Sequence, residues 1–516
     1  MFKIRTTKTG SGNTAVQVVY RQNQQTKVVK HIGTAHDAKE LQRLFDLANQ
    51  YIFSCSPMQP LFPELLGENS QTHNLVSVEN LSFTKTYHTF THEFLSFFYE
   101  LNGFAALSNN LLRDLSFMRI IEPASKLRSA ELFNKYFGQI YTQNMLYKGL
   151  PQIRLLKEEA EKVAVSYAKQ HLSFNFRLVF YDVTTLYFET FKEDEDVTDK
   201  RGEKTYGLRK IGFGKERKPG QPQVVIGLMV NNDGYPIGVE MFSGKTFEGH
   251  TMLPVIKKLQ ERYRIKTLTI VADAAMLSLD NTKNISKAGL SYIVGARMGS
   301  MPTKLLADIS QKLKRTEGKY IRIQTDWGKL VCDYSERRAT KDRLDRKKQL
   351  TKAQYQIEHP DKVKRRTRFV LEETKVALKL NQELIEQDRL REGIKGYYTN
   401  LKKVPSKLIV KRYHDLWQVE KSFRIAKSDL EARPIFHHKK EGIETHILIV
   451  FVSLCLTKSI ELKTGYSIRK VKDMIWDILD IEFTDTLTGK QFHKRMDTTA
   501  NPMAELLGKT NHVLKG

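Results

Sequence analysis

Phe176-Arg177-Leu178-Val179-Phe180-Tyr181-Asp182 and Thr267-Leu268-Thr269-Ile270-Val271-Ala272-Asp273 decide how this chain folds. Each is a short, mostly apolar run rich in β-branched and aromatic residues, which is strand composition. A strand apolar on successive positions is covered on both faces and belongs in the middle of a sheet. Both runs end on an aspartate. A charge at the end of a buried strand is costly unless it has a task, and holding a metal ion is one such task.

Working outward, Gln223-Val224-Val225-Ile226-Gly227-Leu228-Met229-Val230 reads as a strand. Asn231-Asn232-Asp233-Gly234 is a tight turn, and Tyr235 to Phe242 returns as the second arm of a hairpin. Met252 to Tyr263 has helical periodicity, and Tyr292-Ile293-Val294-Gly295 is a last short strand. Strand, hairpin, helix, strand, helix, strand is the order of the ribonuclease-H-like fold. The expected class is α/β, with that core interrupted by a β-rich insertion.

The flanks divide by pattern. Residues 1–66 read as a small α+β unit, with strands at Thr14–Tyr20 and Lys27–Ile32 and a helix near Ala38 to Gln50. Gly67 to Asn74 is a turn-rich linker. Residues 75–172 are helical, and two readings stand for them: a DNA-end-binding module or a plain helical bundle. Residues 173–300 hold the first part of the core. Residues 301–400 break its rhythm with paired strands and the densely basic stretch Lys341 to Arg368, a β-rich insertion carrying a basic arm. Residues 401–465 resume the core, and 466–516 form a helical tail.

A chain of 516 residues exceeds one ordinary core. Its net charge of +26 points to a polyanionic partner, nucleic acid before others. Cys55, Cys332 and Cys455 are too scattered for a disulfide framework or a local zinc pair. The start has no apolar signal core, and the strongest apolar run, Ile447 to Leu456, is about half the length that spans a bilayer. A cytoplasmic, nucleoid-associated protein without a membrane partner is expected.

Phosphodiester chemistry needs charge neutralised on a non-bridging oxygen, an activated oxygen nucleophile and a stabilised leaving oxygen. Two divalent ions about 4 Å apart supply all three, and hard ions such as Mg²⁺ prefer carboxylate oxygens. Asp182 and Asp273 suit that role. Glu420 is the third candidate, in Tyr413-His414-Asp415-Leu416-Trp417-Gln418-Val419-Glu420-Lys421-Ser422-Phe423-Arg424-Ile425-Ala426-Lys427. On one continuous helix Tyr413, Leu416, Glu420, Arg424 and Lys427 line a stripe, with Glu420 at the metals and the cations on phosphates. An exposed helix with ordinary i,i+4 pairs is the alternative.

These stretches resemble bacterial insertion-sequence transposases of the DDE class, in the family-four branch marked by Tyr, two residues, Arg, three residues, Glu, six residues, Lys. Tyr413, Glu420 and Lys427 keep that spacing, while Leu416 stands in the Arg position, with Arg412 or Arg424 as substitutes. Tyr181 to Phe188, Gln223 to Leu228, Val271 to Ser278, Tyr398 to Asn400 and Phe423 to Leu430 are similar to the same branch. The resemblance covers roughly residues 90 to 460. It implies an enzyme that binds terminal inverted repeats in double-stranded DNA, frees 3′-hydroxyls and joins them to target DNA. Two Mg²⁺ ions, with Mn²⁺ as substitute, would be held by Asp182, Asp273 and Glu420, and the protein would pair as a dimer on DNA. A transposase-derived DNA-binding protein that no longer cleaves, and a ribonuclease-H-like nuclease without strand transfer, are the competing functions.

Weaker signals remain. Gly212 to Gly220 is Gly-rich and basic but lacks the Gly-Lys-Ser/Thr ending of a nucleotide loop, so Lys215 and Arg217 are expected at DNA phosphates. Arg338 and Lys341 belong to a basic run that is either a solvated face or a phosphate track. His437, His438 and His446 fit no zinc spacing and read as surface residues of a basic helix. Trp327 is a core residue or a platform for an unpaired base.

Overall fold

The computed structural model describes residues 2–10, 12–22, 25–54, 78–198, 204–205, 207–212, 220–276, 278–360, 365–372, 378–486, 488–496 and 498–511. The chain divides into two compact units, residues 1–85 with 482–493 and residues 86–481 with 494–516. The first contains an antiparallel three-stranded sheet, Phe2–Lys8, Thr14–Gln22 and Gln25–Ala35, with the helix Ala38–Ser54. Val16, Val18, Ala35, Leu44 and Ala48 are its buried core. The strand Phe2–Lys8 adds to the two read from sequence, pairing along its length with Thr14–Tyr20.

The second unit is built on a mixed eight-stranded sheet within an α/β architecture. In chain order its strands are β1 (Leu178–Tyr187), β2 (Gln223–Val230), β3 (Pro236–Ser243) and β4 (Thr269–Ala272). They continue as β5 (Ser291–Gly295), β6 (Tyr320–Thr325), β7 (Gly328–Tyr334) and β8 (Ile394–Thr399). The spatial order is β6-β7-β8-β5-β4-β1-β2-β3. Strands β1, β4 and β5 are parallel, and the remaining neighbours are antiparallel. Every residue of β2 is buried, as expected for a sheet with layers on both faces.

Residues 301–400 are not a separate β body. β6, β7 and β8 hydrogen-bond into the main sheet, β8 bridging β5 and β7. Only the short pair Val370–Glu372 and Leu378–Leu380 stands apart, over a small core of Ala353, Phe369 and Ile385. The basic stretch forms α1 (Glu336–Glu358). The expected helical tail contains the helices Ile468–Trp476 and Pro502–Asn511, with the strands Asp480–Asp485 and Gln491–Arg495 between them.

α2 (Ser406–His414), α3 (Trp417–Arg424) and α4 (Lys440–Thr464) follow the sheet. α4 is long and apolar enough to cross a bilayer, yet Ile443 and Thr445 to Ile460 are buried in protein. The helices Thr89–Leu101, Asn110–Ile121 and Lys157–His171 share one hydrophobic core with α4 and the sheet. Ser453 Oγ donates to Ser116 O at 3.1 Å, and Tyr167 and Ser459 hydroxyls lie 2.8 Å apart. The helical region is therefore a bundle in its packing.

Candidate active site

The parallel register of β1 and β4 sets the centre. Tyr181 pairs with Ala272, so Asp182 and Asp273 are the next residues on adjacent strands. β4 ends there, whereas β1 runs on to Tyr187 against β2. Asp182 thus lies mid-strand and half-buried, and Asp273 emerges past the sheet into solvent. The expectation of two buried strand-end charges is corrected on this point: with β4 stopping at Ala272, Asp273 stays solvated.

Alternation places Asp182, Thr184 and Leu186 on one face of β1. Thr184 and Leu186 line a small apolar cavity with Phe423, Ala426 and residues of α4, so this is the face that α3 and α4 cover. α3 is pinned to the β2–β3 turn by Ser422 Oγ, which donates to Gly234 O at 2.7 Å. Glu420 is exposed on this helix, on the same side of the sheet as Asp182.

Tyr413 touches one of the carboxylates and lies within electrostatic reach of the other two. Its hydroxyl donates to Asp273 Oδ1 at 3.1 Å. Burial pushes that hydroxyl far above the usual phenol range, and the negative charges of Asp273, Glu420 and Asp182 push the same way. Gly295, at the end of β5, leaves room for the ring: a Cβ there would overlap the hydroxyl and lie 3.0 Å from Tyr413 Cζ.

Lys395 is the cation of this locality. On β8 it stands opposite Asp333 of β7, and its Nζ lies 4.6 Å from the Tyr413 ring centre and 5.9 Å from that of Tyr397. Burial and the neighbouring Arg338 lower its pKa, while Asp273, Asp333 and Glu420 raise it. Arg338, near the start of α1, is half-buried with Nη1 enclosed. Sequence reading missed Lys395. Its signal was a lysine inside an otherwise apolar strand, the same anomaly that marked the aspartates.

The single helical stripe does not form. α2 ends at His414 and α3 begins at Trp417, joined by tightened i→i+3 bonds from Leu416 N to Tyr413 O and Gln418 N to Asp415 O. Tyr413 and Leu416 face the core with Val419 and Phe423. A π turn, Ile425–Asp429, then shifts the register, and Lys427 lines the apolar cavity beside Thr184 and Leu186. Arg412 pairs with Asp415 at 3.2 Å, and Arg424 is exposed. Lys341 is exposed on α1, and Lys215 and Arg217 lie outside the described residues.

Two further residues are placed by packing. Trp327 is half-buried, its ring 5.9 Å from Tyr398. His446 is buried rather than on the surface, with Nδ1 3.0 Å from Lys126 Nζ and Nε2 3.0 Å from Ala432 O.

The donor chemistry suits a divalent ion: three carboxylates within electrostatic reach of one hydroxyl, two of them solvent-exposed. Among the described residues, however, no three His, Cys, Asp or Glu side chains already converge closely enough to hold one. Like charges hold such groups apart until a cation draws them in.

The transposase DDE domain family matches residues 177–456, more than half of the chain. The chain belongs to that family. DDE transposases generally use divalent metal ions, and the family implies nuclease and transposition chemistry. No curated protein matches the chain. Among solved structures it is similar to a piggyBac transposase in a cryo-EM synaptic complex with hairpin DNA. That likeness is remote, at 10% identity over 74% of this chain and 70% of that one, with a TM-score of 0.34.

Proposed function

We propose that this transposase binds the terminal inverted repeats of its own element as double-stranded DNA, cleaves the ends and joins their 3′-hydroxyls to target DNA. Asp182, Asp273 and Glu420 are its catalytic carboxylates, on a ribonuclease-H-like core of the insertion-sequence family-four branch. The observation that carries this reading is geometric: Asp182 and Asp273 are successive neighbours on adjacent parallel strands, the Tyr413 hydroxyl holds Asp273, and the helix bearing Glu420 packs over the same sheet face. Core packing alone gives no reason to assemble three acids in one place.

Two Mg²⁺ ions, or Mn²⁺ in their place, would neutralise phosphate charge and activate the attacking oxygen there. The chain's own residues do the rest. The Tyr413 hydroxyl fixes the Asp273 carboxylate. α3 carries Glu420 on a short segment that lets its exposed side chain close on the aspartates. Lys395 offers positive charge to the phosphate beside them, the task that buried Leu416 is unable to perform. Arg424, solvent-facing on α3, is a contact for the flanking backbone. Pairing two ends requires at least two copies on DNA.

The test separates binding from cleavage. Asp182→Asn, Asp273→Asn and Glu420→Gln should each abolish end cleavage, keep end binding near the wild-type level and keep the wild-type thermal transition. Normal cleavage by any one of them would remove that residue from the site.

A further inference from the structure

α1 has two unlike sides. One holds the helix to the protein: Ala339 and Ala353 are fully buried, and Gly393 N donates to Asp342 Oδ2 at 2.9 Å. The arginines of that side are also committed. Arg343 pairs with Glu336 at 2.7 Å and Glu392 at 3.4 Å, and Arg346 pairs with Glu392 and, at 3.5 Å, with Asp388. Much of the basic run is therefore structural, and its net charge overstates what is available to a ligand.

The other side is different. Arg337, Lys341, Leu344, Lys348, Lys352 and Tyr355 follow one another at spacings of three and four residues, so they share one stripe. All six are exposed, and among the described residues none of the four cations has an ion-pair partner. At 1.5 Å per residue the stripe is about 27 Å long. Leu344 and Tyr355 are isolated apolar points on it, too few for a hydrophobic seam or a membrane face.

The placement of the helix gives the stripe a direction. Arg338, one residue from its first member, lies close enough to Lys395 for their charges to oppose, and Lys395 in turn feels Asp273 and Glu420. α1 thus has its first turns beside β8, whose Lys395 lies over the ring of Tyr413, and its last turns over the Ala353, Phe369 and Ile385 cluster. We infer that the solvent stripe of α1 is a track for the phosphate backbone of the duplex leading out of the active site, independent of base sequence. This deepens the transposase reading and rests on it. Charge complementarity selects the occupant: a row of cations one or two helical turns apart meets a row of regularly spaced phosphates.

The experiment measures end-DNA affinity of the full chain against salt. Lys341→Gln, Lys348→Gln and Lys352→Gln are combined in one variant. A control combines Lys257→Gln, Lys266→Gln and Lys287→Gln, exposed lysines elsewhere in the same unit. Removing three phosphate contacts should flatten the slope of log K against log salt by about 2.7. Affinity should fall alike for end DNA and unrelated duplex. The control should keep the wild-type slope, and both variants the wild-type thermal transition. A wild-type slope in the stripe variant, or equal flattening in the control, overturns the track while leaving the carboxylate site standing. Wild-type protein that binds duplex with no salt dependence overturns both readings.

Discussion

Gly295→Ala is the sharpest probe of the site, because the space it invades is defined by two functional atoms. The new Cβ would overlap the Tyr413 hydroxyl and lie 3.0 Å from its Cζ and 3.2 Å from Ala274 N. Backbone on one side leaves only the tyrosine to yield. Restoring ordinary contact moves the hydroxyl by about 1 Å, since packed interiors have little slack. Its bond to Asp273, 3.1 Å long, does not survive that shift. Overpacking of this kind costs about 1–3 kcal/mol. For a unit of roughly 400 residues that is a fall of about 1–4 °C in Tm, from an unfolding entropy near 2.1 cal/mol/K per residue. The functional cost is larger, because misplacing a reacting constellation by about 1 Å lowers rates by about 100-fold.

The assay is a mutant cycle with Tyr413→Phe, read by single-turnover end cleavage and thermal melting. Tyr413→Phe removes the overlapping oxygen and also the anchor of Asp273, so it should itself lose about tenfold in cleavage. The two changes attack one contact and should be strongly non-additive. Adding Gly295→Ala to Tyr413→Phe should therefore cost little more. Wild-type cleavage and Tm for Gly295→Ala, or simple multiplication of the two defects, would refute the packing of Tyr413 between Gly295 and Asp273.

Lys395→Met should lower cleavage by about tenfold, equivalent to about 1.4 kcal/mol in the barrier. End affinity should be little changed and Lys395→Arg should recover part of the loss; a uniform loss of binding would make Lys395 an ordinary DNA contact. The buried His446 sets an acid limit on stability. Its Nε2–H donates to Ala432 O and its Nδ1 accepts from Lys126, so a second ring proton would face the amine of Lys126, whose own charged form burial and Arg119 disfavour. Burial, Lys126 and Arg119 hold its pKa well below the ordinary value. Folded protein therefore stays neutral where the unfolded chain takes up a proton. Its contribution is complete above about pH 6.5 and is lost as pH falls, by at most about 1.4 kcal/mol per unit. His446→Gln should flatten this limb of urea midpoints measured from pH 7.5 to 5, and an unchanged acid limb would reject the assignment.

The strands of the sheet centre were legible because each is a local hydrophobic run closed by a turn. β1 to β5 all appear where apolar residues and the Asn231–Gly234 turn required them. The β6–β7 hairpin was legible, but the pairing of β8 with β5 and β7 was not, since strands far apart in sequence leave no local pattern. Their composition suited a free-standing insertion equally well. The break between α2 and α3 was hidden for another reason. Tyr413, Leu416, Glu420, Arg424 and Lys427 keep helical spacing in sequence, but a tightened link and a π turn alter the rotation between them.

The same distinction explains the site. Asp182 and Asp273 are readable as acids ending apolar runs, although β1 continues past Asp182 to Tyr187, and once the two strands are parallel neighbours their proximity follows from register alone. Glu420 needed the resemblance, because an exposed glutamate on a basic helix is ordinary by every local measure. The missing signature arginine shows where local reading stops. Leu416 is buried at 4% exposure and packs in the core, so no cation fits there without unpacking the helix link. The proposed source of that charge is Lys395, 21 residues earlier, placed there because β8 lies beside β5 and β5 beside β4. Lys395 is thereby delivered to the Tyr413 ring by sheet order, and no motif of fixed spacing around Glu420 could have named it.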